Sequence, residues 1–426
     1  MTKIKARTIS GFMELTPEKQ IVFNQMKDKI KNVFERNGLT PTETPILEYS
    51  EILLAKAGGE TEKQIYRFQK GDSDLCMRFD LTVPFAKYTA INQNILNFPF
   101  RRYQIGKVFR GERAQRGRFR EFYQCDMDII DDGELSLWAD AECISVLSQI
   151  YYGLGQKVHI KISNRKILVG LIDALGESEN QGQILNILDK ASKIGEDKAL
   201  EILSEITSNA KTILNILKIT DIGKLEELPY QNETFLKGIE EIKELFKNLR
   251  AIRIDNRFDL DLSIIRGLDY YTGTIFEAFL VSENLSVGGG GRYENLAGNY
   301  TDKKLSGVGV SVGLTRLFDI LDRNGSIPFP KSTTAKVAII PLGDTSNHCF
   351  LMAEKLRDRG INTQVLYFNK SFKSKMNYAN KIGVPFIMVI GDDELRSGVY
   401  GLKNMITGEV FENDFDTILN KLKENN

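Results

Sequence analysis

The sequence predicts an α+β domain built on an antiparallel sheet and carrying a helical insertion, followed by a small α/β domain. Three observations lead there. Apolar and polar residues alternate on both sides of an Arg/Gly-rich block between Arg101 and Ile130, the pattern of a long antiparallel hairpin. From Val158 to about Arg250 the chain is rich in Leu, Ile, Lys and Glu, has helical spacing and is nearly free of proline. After the break at PFPKSTT, strands and helices alternate. With 426 residues the chain exceeds one ordinary core. The expected division is 1–330, with the insertion at about 160–250, and 331–426.

Composition narrows the function classes. Charged residues make up 27% and the formal net charge is zero, so nothing draws the whole chain toward nucleic acid and such a partner must be held by local patches. The four cysteines are scattered without a Cys-x-x-Cys, which indicates neither a disulfide framework nor a zinc site and suits a reducing, cytoplasmic setting. No apolar run approaches the ~20 residues of a membrane span, and MTKIKARTIS lacks the apolar core of a secretory signal. His159 and His348 are the only histidines and neither lies near another obvious catalytic group; His159 in KVHIKI reads as structural. Whatever chemistry occurs is run by arginines and carboxylates, with no metal site of the protein's own expected.

Taken in order, Thr16-Pro17 caps a helix with apolar spacing that ends near Asn37-Gly38. Pro41 and Pro45 bracket an extended piece suited to a sheet edge or an interface. IYRFQ and LCMRFD form a strand pair around Lys70-Gly71-Asp72-Ser73. At the next strand-to-helix junction, Asp80 and Thr82 either cap the helix or hold a ligand. In the long hairpin Gln124, Asp126 and Asp128 share one face, which is either solvated or a binding floor. A helix follows from Asp140 to Tyr152. Beyond the insertion, AIRIDNRFDLDLSIIRGLDYYTGTIFEAFL reads as two antiparallel strands linked through Arg266 to Tyr271. The run Gly288 to Gly291 either lets backbone approach a ligand or another chain, or is a loop. GVGVSVGLTRLFDIL passes from strand to helix with Arg316 on its first turns. In the last domain Lys370, Lys373, Lys375 and Lys381 are expected to cluster on the second helix as a solvated basic face.

Four separated blocks resemble the histidyl-tRNA synthetase family of class II aminoacyl-tRNA synthetases over essentially the whole chain. The Pro45 region is similar to the first class II motif, which implies a homodimer. FRGERAQRGRFREF resembles the second motif and its loop, RGLDYYTGTIFE the block particular to the histidine enzymes, and GVGVSVGLTRL the third motif. MRFDLTVP adds specificity to the match. The resemblance implies a class II catalytic domain, an α/β anticodon-binding domain, and tRNA(His), L-histidine and ATP with Mg²⁺ as partners. It implies that Asp80, Leu81 and Thr82 hold the histidine α-ammonium with Gln124, and that Asp128 reads the imidazole with Tyr271 opposite and Tyr270 close by. It places Arg110 on the ATP α-phosphate, Arg266 on both that phosphate and the histidine carboxylate, and Arg316 on the γ-phosphate. Glu112 and Arg118 line the nucleotide pocket, and Gln115 and Arg116 are candidates for the tRNA acceptor end. Asp80 and Asp128 are aspartate forms of positions that carry glutamate in many bacterial relatives, a likeness to the eukaryote-like branch.

The implied reaction suits these residues. Attack of an amino-acid carboxylate on the α-phosphorus of ATP brings anions together, so positioning and charge neutralisation are the task. An arginine fork holds a carboxylate and a phosphate oxygen together, which a lysine does less well. Transfer to tRNA needs a base, and a phosphate oxygen of the adenylate is the one the resemblance suggests. A site that hydrogen-bonds both imidazole nitrogens rejects apolar isosteres by roughly 10⁴ to 10⁵, so the insertion is not read as an editing domain. The competing reading is a catalytically inactive, histidine-binding regulatory paralogue of histidine biosynthesis. It predicts loss of the last domain and of the arginines, whereas Arg110, Arg266, Arg316 and the residues after Pro330 are present. A synthetase-like stress sensor would need a fused effector, for which the expected domains leave no room.

Overall fold

The structure is a computed structural model that describes residues 4–55, 62, 64–113, 117–254, 257–266, 271–328 and 331–424. It divides into one unit of Met1–Met13 with Met26–Arg323 and another of Glu14–Gln25 with Asn324–Asn426. A helix spans Pro17–Arg36 and stops where the sequence expects.

In the first unit the strands are β1 (Thr40–Pro41), β2 (Leu47–Tyr49), β3 (Arg67–Lys70), β4 (Ser73–Met77), β5 (Phe100–Phe109), β6 (Glu121–Asp132), β7 (Val158–Asn164), β8 (Phe258–Leu260), β9 (Thr274–Leu280), β10 (Leu285–Glu294) and β11 (Leu305–Gly313). β2, β4 and β3 form a small antiparallel sheet. The other eight form one sheet in the order β1-β5-β6-β11-β10-β9-β7-β8, antiparallel except at its two ends. Pro41 lies in the short edge strand, where a missing N–H costs no ladder bond. The helix Trp138–Gly153 is buried along most of its length by Ile144, Val146, Leu147 and Ile150.

Here two expectations change and one open alternative is decided. Val158–Asn164 belongs to the central sheet, so the helical stretch begins at Arg165; the alternation in VHIKISN is a strand period and outweighs the helical texture around it. The two strands after the insertion do not pair with each other. β7 lies between them, parallel to β8 and antiparallel to β9. Alternation identifies strands without naming their partners, and the segment between β8 and β9 is too long for a hairpin loop. The four glycines are not a loop but the middle of β10, paired on both sides.

The second unit holds β12 (Val337–Pro341), β13 (Thr363–Val365), β14 (Phe386–Ile390), β15 (Tyr400–Asn404) and β16 (Val410–Asn413) in the order β13-β12-β14-β15-β16. The first three are parallel and the last two antiparallel. Cys349, Met352 and Leu356 pack with Ile418, Leu419 and Leu422 in one core, and Ala379 packs with Ile340 and Ile387 in another. The basic face is smaller than expected: Lys370 precedes the helix Phe372–Ile382 and Lys375 is buried within it. Among the described residues no helix is long and apolar enough to cross a membrane.

What positions the site is register across the large sheet. Arg102 on β5 pairs with Asp128 on β6, which pairs with Gly309 on β11, which pairs with Gly291 on β10. Two residues along, Gln104, Asp126, Ser311, Gly289 and Glu277 form a second row. Paired residues point to the same face, so both rows line one side of the sheet. A Cβ at Gly309 would overlap the Asp128 carboxylate. Gly309→Ala is therefore expected to destabilise the protein by about 1–3 kcal/mol in urea unfolding; an unchanged midpoint would show that Asp128 can move aside freely.

Candidate active site

Over the second row, at Ser311 and Gly289, opens a cavity of about 530 Å³. Gly288, Gly289 and Gly290 line part of it: a Cβ at Gly289 would stand 2.6 Å from Arg266 Nη1, and one at the adjoining Gly291 would stand 2.9 Å from the Tyr271 ring. Only bare backbone leaves space there for those side chains and a ligand together.

Three arginines converge on the cavity from separate elements. Arg110, at the end of β5, donates Nε to the Phe79 carbonyl oxygen at 3.0 Å and lies 5.2 Å from the Phe122 ring centroid. Arg266 holds Nη1 3.1 Å from the Glu277 carboxylate, which also accepts from the Ser286 hydroxyl. Arg316 sits in the first turn of the helix Leu314–Arg323; its Nε is buried and unbonded, and burial, then the Arg266 and Arg118 charges, pull its guanidinium below the ordinary range. Glu112 and Arg118 pair at 3.4 Å on the rim. Such a concentration of cations beside few anions is a pocket for a polyanion.

The acidic side of the site is buried beside the cavity. Gln124 lines it, with Nε2 donating to Ser311 Oγ at 2.7 Å and Oε1 left without a partner. Ser311 also bonds to Asp126, whose Oδ1 is buried without a partner; burial pushes the Asp126 carboxyl up to about 7. Asp80 accepts from the Val83 N–H at 3.1 Å, so it does cap the helix Thr82–Asn92, while burial raises its carboxyl to about 6. Leu81 is buried and Thr82 is half-buried in the first turn. Asp128 Oδ1 accepts from the Tyr293 hydroxyl at 2.9 Å, and Arg102 Nη2 lies 2.6 Å from Oδ2.

The cavity thus gathers Arg110, Glu112, Arg118, Gln124, Arg266, Tyr271 and Arg316, while Asp80, Leu81, Thr82 and Asp128 lie outside its lining. Gln124 is committed to Ser311, a partner the sequence did not suggest. Gln115, Arg116 and Tyr270 lie outside the described residues. Arg102, Glu277, Ser311 and Tyr293 were not singled out from the sequence. Each shares a face with a residue that was, but only the register reveals that. Lys193, from the helix Gln181–Ile194, also borders the cavity, so the insertion reaches the site.

Residues 11–317 match the family model for histidyl-tRNA synthetase, and residues 336–425 match that for the anticodon binding domain. The chain belongs to the histidyl-tRNA synthetase family. It is 45% identical over 423 residues to a histidine–tRNA ligase of Clostridium tetani, covering 95% of both chains. It is 43% identical over 419 residues to that of Clostridium acetobutylicum, covering 96% of this chain and 97% of the other. These relatives are bacterial, so the two aspartates do not assign the chain to a eukaryotic source. Among solved structures, the histidyl-tRNA synthetase of Nostoc sp. PCC 7120 matches with a TM-score of 0.88 and 33% identity over 100% of both chains. The apo enzyme of S. aureus shares the fold, with a TM-score of 0.71 and 23% identity, covering 99% of this chain and 100% of that one.

The raised carboxyls carry a stability cost that depends on pH. Burial lifts the Asp126 pKa from 3.8 to about 7 in the folded protein, so the folded state binds this proton more tightly than the unfolded chain. Stability then falls as pH rises from about 4 to about 7. Asp126→Asn should raise the melting temperature at pH 8 and change it little at pH 4; equal shifts at both would show that the charge is not the cause.

Proposed function

We propose that this chain activates L-histidine with ATP to histidyl-adenylate and transfers the histidyl group to the 3′ end of tRNA(His). By family it is a class II aminoacyl-tRNA synthetase, a histidine–tRNA ligase. The observation that carries the stepwise reading is the meeting of Arg110, Arg266 and Arg316 around one cavity beside the buried carboxylates Asp80 and Asp128. In this reading residues 1–330, with the insertion at about 160–250, form the catalytic domain and 331–426 the anticodon-binding domain, working as a homodimer.

The α-ammonium goes to Asp80 and Thr82, beside Leu81, and to Gln124 Oε1, the unpaired acceptor that Ser311 leaves free. The imidazole goes to Asp128, with Tyr271 across the glycine floor and Tyr270 near it. Arg266, already angled by Glu277, bridges the histidine carboxylate and the α-phosphate, aligning nucleophile and electrophile. Arg110 shares the α-phosphate and Arg316 takes the γ-phosphate, with Glu112 and Arg118 at the nucleotide rim. Arg316's crowding by other cations suits it to a dense anion. ATP arrives as its Mg²⁺ complex, and the ion neutralises phosphate charge. Glu112, which lines the cavity, is a hard oxygen donor that fits such an ion, and Glu277 lies behind Arg266. The regulatory reading is disfavoured by the anticodon-domain match and by the arginines.

Incubation with ATP, labelled histidine and cognate tRNA should yield acid-precipitable product; histidine-dependent pyrophosphate exchange without tRNA tests the adenylate. Arg266→Ala should abolish that exchange with the fold intact by circular dichroism, and exchange near the wild-type rate would remove its role. Asp128→Ala should raise the histidine KM by about a hundredfold, a lost charged hydrogen bond being worth about 1.5–3 kcal/mol or more, with little effect on ATP. An unchanged histidine KM would make Asp128 a structural strand residue.

A further inference from the structure

We propose that Arg102 is a positioning residue for histidine: its guanidinium is the built-in counter-ion that orients the Asp128 carboxylate toward the imidazole. The inference rests on the reading of Asp128 given above and adds the group through which that residue is held.

Arg102 is fully buried, at 0% exposure, near the start of β5. A buried arginine is costly unless it is paired, and this one lies directly across the strand pair from Asp128, with Nη2 2.6 Å from Oδ2. Its guanidinium carbon stands 3.9 Å from the Phe85 ring centroid, so the aromatic face fixes the guanidinium plane. Nη2 also reaches the Leu81 carbonyl oxygen at 3.4 Å, which ties the pair to the Asp80-Leu81-Thr82 segment.

The contact is close without being complete. Nη2 meets Oδ2 at 2.6 Å in a charge-assisted contact, while Arg102 Nε and Nη1 are buried without partners. A pair built only for stability would be expected to close these bonds. A carboxylate has about four lone-pair sites, so Asp128 can keep Arg102 and Tyr293 and still accept a ring N–H of histidine.

Charge counting leads to the same place. Asp80, Asp126 and Asp128 are all buried on this side, and Arg102 is the one fully buried cation among the described residues that faces them. Asp80 has the substrate ammonium as its partner in the complex, and Asp126, pushed up to about 7 by burial, carries only part of its charge near neutral pH. Arg102 opposes the lift at all three carboxyls, and Asp128 is the one it touches directly. The other groups around Asp128 are the Tyr293 hydroxyl on β10, Asp126 on its own strand, Asp80 ahead of the helix Thr82–Asn92 and the Cys143 thiol on the helix Trp138–Gly153. None of these is a cation. Burial lifts the Asp128 carboxyl and Arg102 opposes that lift. Without Arg102 that lift would be less opposed, and the carboxyl would keep its proton to a higher pH and lose its acceptor charge.

The test compares Arg102→Gln with Arg102→Lys by the pH dependence of the histidine KM. Arg102→Gln should give a histidine KM that rises by about tenfold for each pH unit below the new Asp128 pKa, between pH 8.5 and 6.5. The ATP KM should move less than about threefold, and Arg102→Lys should restore most of the wild-type profile. A KM raised equally at every pH, or no rescue by lysine, would overturn the proposal and leave Arg102 a structural residue. If the variants fail to fold, the wild-type full-length protein answers instead. With ¹³C-carboxyl-labelled aspartate and Asp128 assigned by its loss in Asp128→Asn, the resonance should be that of an ionised carboxylate from pH 6.5 to 8.5. A protonated Asp128 at pH 7 would overturn the inference. Failure of the reading it rests on looks different, because Asp128→Ala would then leave the histidine KM unchanged.

Discussion

The register that sets Arg102 opposite Asp128, and Asp128 opposite Gly309, is the constraint on which the rest of the site depends. A slip of one residue between β5 and β6 would turn the carboxylates to the other face and bring Cys125, Met127 and Ile129 into the site. The same register places Ser311 beside Asp126 and Gln124, and so decides which end of the Gln124 amide is left open. Glycines at 289, 291 and 309 keep the face concave where side chains from neighbouring strands lean inward.

Around that sheet the charges are segregated. Carboxylates lie buried beside the cavity, where Arg102, and at Asp80 Arg110 as well, are the cations that face them. Arginines line the cavity itself, where a triphosphate would supply the missing anions. Each half is unfavourable alone, since like charges crowd and polar atoms go unbonded. Substrates carrying the complementary charges relieve both halves at once, which is how a site can favour a particular pair of reactants without covalent help.

Much of this was legible in the sequence. The long hairpin, the shared face of Gln124, Asp126 and Asp128, the helix after Asp80 and the strand-to-helix passage before Arg316 follow from period and capping alone. The sequence left open whether the acidic face was solvated, and burial answers that. What could not be read was pairing. Alternation in RRYQIG shows that Arg102 and Gln104 share a face, but only the sheet shows that Asp128 and Asp126 stand opposite them. For the same reason the strands on either side of Arg266 looked adjacent when β7 separates them, and Gly288 to Gly291 could not be told from a loop. Lys375 was misjudged because its long stem packs inward although its charge marks it as a surface residue.

The most direct measurement is a crystal structure of the chain with histidine and a non-hydrolysable ATP analogue bound. The account predicts the imidazole over Gly291 and Gly309, with a ring nitrogen within about 3.2 Å of an Asp128 oxygen and Arg102 still against that carboxylate, and it predicts Arg266 between the histidine carboxylate and the α-phosphate. Histidine seated with its imidazole away from Asp128, or an α-phosphate out of reach of Arg266, would contradict it.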